Sequence, residues 1–134
     1  MKTLRLFYLL PILALFMAVT VGCNDDDDDP EPMQMETTGT VVASFTVRAG
    51  AVTIAVADWD IQANLRENDG TLFLDRAINS NSLTFNNITP GSYYIDVAGD
   101  VTDTDGFTYT GLSGVSENFV VVAGETNSIQ LDIN

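Results

Sequence analysis

Short runs in which apolar residues alternate with more polar ones dominate the sequence from Gly39 onward. In the first run, the apolar positions are Val41, Ala43, Phe45 and Val47. A period of two places successive side chains on opposite faces of an extended strand. We therefore predict a strand with one buried face.

The next clear alternation has Trp59, Ile61, Ala63 and Leu65 on one face and polar residues on the other. It ends in the segment 67–70, which closes with Asp-Gly, a strong hairpin signal because such turns use two positive φ angles. A shorter apolar stretch at positions 52, 54 and 56 precedes it. These features predict a strand that is followed by a tight turn and a returning strand.

The remainder of the chain repeats this arrangement of apolar runs and turn residues. No window after Cys23 has a helical period of 3.6. We predict an all-β, single small β-sandwich of about seven or eight antiparallel strands over 38–134. The further strands are predicted at 71–78, 83–88, 92–97, 107–110, 119–122 and 129–133, with 99–106 as the longest loop and a glycine-bearing connection at 111–118.

A family resemblance falls on residues 85–97, which contain Phe85, Ile88, Pro90, Gly91 and Tyr93. Their spacing resembles the F-x-x-[IL]-x-P-G-x-Y-x-[IV] signature of the transthyretin-like, Ig-like sandwiches, which include carboxypeptidase regulatory-like and Cna-B-type domains. The hairpin 59–70 is similar to one in fimbrillin-like Bacteroidota lipoproteins. The resemblance implies a stalk, spacer, adhesin or pilus module, because this fold serves many functions. A Cna-B isopeptide crosslink is excluded, since no lysine follows Lys2.

The N-terminus has a basic start, an apolar run at 6–21, and then Gly22 and Cys23. This order resembles the lipobox of bacterial lipoproteins, although Thr20 stands where Leu or Val is usual. The resemblance implies a signal peptide at 1–22 and a lipidated cysteine, with palmitate or similar chains, at Cys23. A transmembrane anchor is the alternative, but the run is shorter than the roughly 20 residues that span a bilayer.

Five aspartates, Asp25, Asp26, Asp27, Asp28 and Asp29, follow Cys23 almost directly. Their mutual repulsion predicts a disordered acidic tether over 23–37. An acidic cluster in this position also resembles the export signal of Bacteroidota lipoproteins that reach the cell surface. The resemblance implies a lipid-anchored protein on the outer face of the outer membrane.

Composition limits the chemistry. After removal of 1–22, three arginines face all 19 acidic residues, so nucleic acid is not an expected partner. The chain has no histidine, and its single cysteine is the predicted lipid site, which excludes a disulfide. The usual general base, amine nucleophile and thiolate are therefore missing, and we expect no enzyme activity and no cofactor.

Two aromatic residues are the candidate ligand-binding residues. Tyr94 and Tyr109 are predicted to be exposed and to bind a protein or a glycan. Trp59 is an alternative platform for a sugar ring, but its phase with Ile61 and Leu65 favours the core.

Calcium is the one metal that the sequence suggests. Asp100, Asp103 and Asp105 precede Gly106, as in part of a calcium loop. The twelfth position of such a loop would be Leu112, where a bidentate glutamate is needed, so a solvated loop without metal is the alternative.

These observations favour a non-catalytic cell-surface lipoprotein that acts as an adhesion or assembly module. A glycan-binding accessory of an outer-membrane uptake system, or a fimbrial subunit, is the alternative.

Overall fold

The alternating runs form strands whose apolar residues face one shared core. The structure is a computed structural model, and it describes residues 37–134. Its strands are β1 (Gly39–Ala49), β2 (Val52–Thr53), β3 (Val56–Glu67), β4 (Leu72–Ile78), β5 (Ser82–Ile88), β6 (Gly91–Asp103), β7 (Thr108–Val115), β8 (Phe119–Val121) and β9 (Thr126–Ile133).

The strands divide into two sheets. In the smaller sheet β1 lies between β5 and β9, and the short β2 pairs with the last residues of β1. The larger sheet has the order β4-β3-β6-β7, and β8 pairs with the first residues of β6. A sandwich of this kind buries one face of each sheet and leaves the other face in water.

The core lies between the sheets. Each fully buried aliphatic or aromatic side chain contributes about 1.5–3 kcal/mol to stability, so this cluster is the main source of folding energy. Within residues 37–134, no polar or charged residue is buried. The core members are Val41, Ala43, Phe45, Val47, Ile61, Ala63, Leu65, Ile78, Phe85, Ile88, Tyr93, Ile95, Val97, Val101, Leu112, Val121, Leu131 and Ile133.

The predicted all-β sandwich is confirmed, with two differences in detail. The described chain has nine strands, and β1 and β9 run parallel, with Val41 opposite Asn127 and Val47 opposite Ile133. The direction follows from the preceding strand. Because β8 pairs with the beginning of β6, the chain crosses to the smaller sheet at the end where β1 begins, and β9 then runs in the same direction as β1.

The predicted loop 99–106 is wrong over its first half. β6 continues to Asp103, and Val101 on it is buried. Gly99 makes this continuation possible. An added Cβ there would overlap the Asp60 carbonyl oxygen and lie 2.7 Å from the Ile61 Cα. The glycine therefore permits β6 to continue close against β3 where a loop was expected. The register shift beside it lies in β7, which has one extra residue between the pairs Gly99–Leu112 and Val101–Tyr109.

The predicted connection 111–118 is also partly wrong. β7 runs through Val115, and Leu112 on it belongs to the core. Glycines in this segment indicated a break, yet the pairing with β6 extends to Val115 opposite Asp96. The connection between β7 and β8 is therefore restricted to 116–118.

The Asp-Gly hairpin is present, but its geometry differs from the expectation. Gly70 has a φ of 90°, whereas Asp69 is not among the described residues with positive φ. The Gly70 amide donates to the Glu67 carbonyl at 2.9 Å, and the Glu67 amide donates to the Thr71 carbonyl at 2.9 Å. This pattern belongs to a three-residue loop that ends in a left-handed glycine.

The signature at 85–97 stabilises the corner between β5 and β6. Phe85, Ile88 and Ile95 are buried in the core. Tyr93 is also buried, and its hydroxyl donates to the Thr89 carbonyl at 2.9 Å and accepts a hydrogen bond from the Thr89 hydroxyl at 3.0 Å. The residues that carry the resemblance are therefore structural.

The predicted signal peptide, the lipidation site at Cys23 and the aspartate run Asp25–Asp29 lie outside the described residues. Over the part of the chain that the structure describes, no helix is long and apolar enough to span a bilayer.

Candidate functional site

The two ends of the sandwich are distinguished by the position at which β1 begins. The turns at 68–71, 89–90 and 122–125 lie at the end where β1 begins, since Gly39 is opposite Ile88 and Thr40 is opposite Thr126. The turns at 50–51, 79–81 and 104–107 lie at the other end, which we call the distal end. The Phe45 amide donates to the Asn81 carbonyl there at 2.8 Å.

A groove of about 560 Å³ opens at the distal end. Trp59 lies in it half-buried and also packs against the core, which agrees with the predicted core position; its role as a platform for a sugar ring stays a prediction. No charged residue is present among the described residues that line the groove. They are Phe45, Thr46, Val47, Thr53, Ile54, Ala55, Val56, Ala57, Trp59, Asn79, Ser80 and Asn81.

Backbone hydrogen bonds hold the walls of this groove. The Ile54 amide donates to the Val47 carbonyl at 2.8 Å, and the Thr104 amide donates to the Ala55 carbonyl at 3.1 Å. On the opposite wall, the Ser80 hydroxyl donates to the Ser82 carbonyl at 2.8 Å. The shape of the groove is therefore set by the fold before anything binds.

The candidate calcium residues make hydrogen bonds to their own turn and bulge. The Asp103 Oδ1 accepts from the amides of Asp105 and Phe107, both at 2.9 Å, and the Asp100 Oδ1 accepts from the Gly111 amide at 2.8 Å. Within the described residues, no three acidic, histidine or cysteine side chains are grouped as metal ligands. Calcium binding by Asp100, Asp103 and Asp105 stays a prediction.

Tyr109 lies beside this acidic turn. Its hydroxyl donates to the Asp103 Oδ2 at 3.4 Å, and its ring meets that of Phe107 edge to face, with centroids 5.0 Å apart. Burial raises the pKa of the Tyr109 phenol above its ordinary value of 10.0, and the negative charges of Asp103 and Asp105 act in the same direction.

Tyr94 lies on the other face of the larger sheet. It stands between the buried Tyr93 and Ile95, so it points away from the core, whereas Tyr109 is opposite the buried Val101 and packs against the core. Tyr94 pairs with Arg66 across the sheet. The structure therefore does not bring the two predicted ligand-binding tyrosines together in one patch.

The surroundings of Tyr94 are polar. The Arg66 Nε donates to the Asp96 Oδ1 at 3.1 Å, and another nitrogen of the same guanidinium donates to the Gly70 carbonyl at 3.2 Å. Nearby on this face, the Gln62 amide donates to the Asp75 Oδ2 at 3.0 Å. Its polar groups already pair with one another, which leaves this face less free to bind a ligand.

A second groove, of about 850 Å³, runs between β7–β8 and β9. Its lining includes the charged residues Arg48, Glu117 and Asp132. Arg48 and Asp132 form an ion pair at 3.3 Å, and both side chains are well exposed. Such an exposed pair adds at most about 1 kcal/mol to stability. The uncharged groove at the distal end therefore differs in chemistry from this one.

The sequence did not predict this distal groove. Its walls come from three separate parts of the chain, at 45–47, 53–59 and 79–81. The one signal within the sequence was Trp59, whose phase with Ile61 indicated only a core position. Asn79 and Asn81 lie between the predicted strands 71–78 and 83–88, a position that indicates only a turn.

No family model matches the sequence, and no curated protein matches it. The chain is similar to the crystal structure of a DUF4876 family protein from Bacteroides thetaiotaomicron, with 22% identity and a TM-score of 0.52 over 71% of this chain and 23% of that one. A pilus-presented adhesin matches with 15% identity and a TM-score of 0.37 over 75% of this chain and 27% of that one, too low a score to support an argument. The chain thus spans about a quarter of each structure, and the first likeness shows a shared β-sandwich fold.

Proposed function

We propose that the protein is a non-catalytic lipoprotein, held in the outer membrane by lipid on Cys23 and displayed at the cell surface, where its sandwich acts as an adhesion or assembly module. One observation carries the proposal: the chain enters the domain at the end opposite the distal groove. β1 has 11 residues, and at about 3.3 Å per residue it is about 36 Å long. An anchor at Cys23 therefore leaves the distal end free to meet a partner.

The chemistry of the chain supports a role without catalysis. The mature sequence has no histidine, lysine or free thiol. Throughout residues 37–134 no polar or charged residue is buried, and the hydroxyl of the buried Tyr93 is already hydrogen-bonded to Thr89. A small sandwich with exposed turns is suited to binding rather than to enclosing a substrate.

Metabolic labelling tests the anchor. Cells that are given an alkyne-tagged palmitate should label the wild-type protein, and Cys23→Ser should abolish the label. Two acyl chains give stable anchoring where one does not, so the labelled wild type should fractionate entirely with the membrane. An unlabelled wild type, or a Cys23→Ser protein that still takes the label, would contradict the anchor.

Protease treatment of intact cells tests the display. The wild type should be degraded while a periplasmic marker survives, and replacement of Asp25–Asp29 by asparagine should protect the protein from protease. The asparagine variant keeps the length of the segment and removes only its charge. A wild type that survives while known surface proteins disappear would place the domain in the periplasm and contradict the proposal.

A glycan-binding accessory of an uptake system is the second candidate function, and the position of Tyr94, half-buried on the outer face of the larger sheet, favours it. Binding on a glycan array should weaken in Tyr94→Ala if that face is used, and in Tyr109→Ala if the acidic turn is used. Because the two tyrosines lie on opposite faces, one substitution at most should abolish binding.

A further inference from the structure

The distal groove has the properties of a binding site for an uncharged ligand. It lies in a chain with 19 acidic residues, yet none of the described residues that line it is charged. The two residues that flank Trp59 in the sequence are aspartates, and neither of them lines the groove. An anion finds no cation here, and a metal ion finds no carboxylate.

The groove combines an apolar floor with a polar rim. Trp59, Ile54 and Val56 are half-buried and pack against the core, which gives a floor with one flat indole ring. Asn79, Asn81 and Thr53 are exposed on the rim, and neither asparagine side chain hydrogen-bonds to another described residue. Their amides can both donate and accept.

This combination matches a sugar ring. A pyranose has an apolar face of C–H groups that packs on an indole, and hydroxyl groups at its edge that exchange hydrogen bonds with amides. The volume of about 560 Å³ lies within the range of roughly 300–1,000 Å³ for small-ligand pockets. The backbone bonds that hold the walls also reduce the entropy lost on binding.

We propose that the distal groove, with Trp59 as its floor and Asn79 and Asn81 on its rim, binds a neutral saccharide. The inference rests on the proposed function and deepens it, because it names the chemical class of the partner that the displayed end meets. It is independent of Tyr94 and of the acidic turn.

Trp59 is the single tryptophan of the chain, so its emission reports on this groove alone. The full chain in detergent micelles is titrated with neutral hexasaccharides of glucose, mannose, xylose, galactose and N-acetylglucosamine, and with hexagalacturonate as an anionic control. At least one neutral series should give a saturable change in emission, and hexagalacturonate should give none. No saturable change with any neutral series would overturn the proposal.

Calorimetry on variants then locates the site. Asn79→Ala and Asn81→Ala should each weaken binding by about threefold to tenfold, which corresponds to one neutral hydrogen bond. Trp59→Phe should weaken binding while keeping an aromatic ring against the core, and its thermal unfolding curve checks that the fold is retained. Tyr94→Ala tests the competing face of the larger sheet, and binding in the groove predicts that it leaves affinity unchanged. Gln62→Ala, on that same face, is the control.

If affinity is unchanged in all three groove variants, or is lost only in Tyr94→Ala, the sugar binds elsewhere. Either result would contradict the proposed site in the groove. The outcome is separate from the cell experiments. A surface-exposed protein that binds no neutral saccharide contradicts this inference alone, and a saccharide-binding protein that resists protease on intact cells contradicts only the display.

Discussion

At the scale of single residues, Gly99 shows how one missing side chain determines a local structure. It lies where β6 passes β3, opposite Ile61, with a φ of 154°. The Asp60 backbone lies where a Cβ would project. Every other residue would have to displace the central strand of the larger sheet from its neighbour.

Gly99→Ala should therefore destabilise the domain by clearly more than about 1 kcal/mol, the usual scale for alanine at a positive φ. Gly106→Ala is the matched control, because Gly106 also has a positive φ but has open space around it. Urea unfolding of both variants measures the difference. Equal losses of stability would show that the close approach to Asp60 contributes nothing.

Tyr109 gives a second prediction at this scale. Its pKa is raised by burial and by the charges of Asp103 and Asp105, so the fold favours the neutral phenol. The contribution to stability is complete below pH 10 and is lost as the pH rises through the folded-state pKa. In a spectrophotometric titration, the difference between wild type and Tyr109→Phe should show a tyrosinate transition above pH 10.0.

Asp103→Asn should move that transition toward lower pH, because it removes a negative charge and leaves a side chain that can still accept hydrogen bonds. Asp75→Asn, on the opposite edge of the sheet, serves as the control and should leave the transition in place. A tyrosinate transition at or below pH 10.0 in the difference titration would contradict a pKa of Tyr109 that is raised by burial and by neighbouring carboxylates.

At the scale of elements, the sequence predicted what depends on neighbouring residues and missed what depends on distant ones. The alternations in β1 and β3 were sufficient to identify their buried faces, because burial on one side imposes a period of two. The extension of β6 past Gly99 could not be predicted, since glycine and aspartate indicate turns locally. It depends on the burial of Val101 in a core whose other residues come from distant strands.

The candidate site follows the same rule. The positions of Tyr94 and Trp59 in their strands followed from alternation, but their neighbours did not. Residues 79–81 meet Trp59 only because β5 pairs with β1 in the other sheet and β4 pairs with β3. No pattern within one segment encodes that meeting.

The corner between β5 and β6 carries the prediction at this scale. Tyr93→Phe removes the hydroxyl that bonds to Thr89 and should cost about 0.5–1.5 kcal/mol, the net value of a typical hydrogen bond. Tyr94→Phe, one residue along on the exposed face, should cost little. Thermal unfolding of the two variants compares the loss of a hydrogen-bonded hydroxyl with the loss of a solvated one. Equal losses of stability would show that the hydrogen bonds to Thr89 do not stabilise the corner.

At the scale of the whole molecule, the large net negative charge opposes folding into the compact state. Residues 23–134 contain three arginines and 19 acidic residues, and the described ion pairs lie near the surface. Mutual repulsion among carboxylates opposes folding and is reduced by salt. The apolar core must offset it, because no disulfide is available.

The melting temperature should therefore rise as NaCl increases from low concentration, and the rise should level off near about 0.2 M, where the screening length falls below about 8 Å. Differential scanning calorimetry of the full chain in a neutral detergent measures it. Sucrose provides a control that stabilises proteins without screening charge. A melting temperature that falls with added NaCl would show that attractive ion pairs outweigh the repulsion.

The parallel pairing of β1 with β9 has a consequence for how the polypeptide reaches its native state. The smaller sheet closes only when Val41 in β1 pairs with Asn127 in β9. These residues are far apart in the sequence, and such long-range contacts slow folding. A nascent chain that is threaded through a translocation channel has to stay unfolded during its passage. For the export proposed above, a topology that closes the smaller sheet only after β9 has been made would help to keep the chain competent for transport.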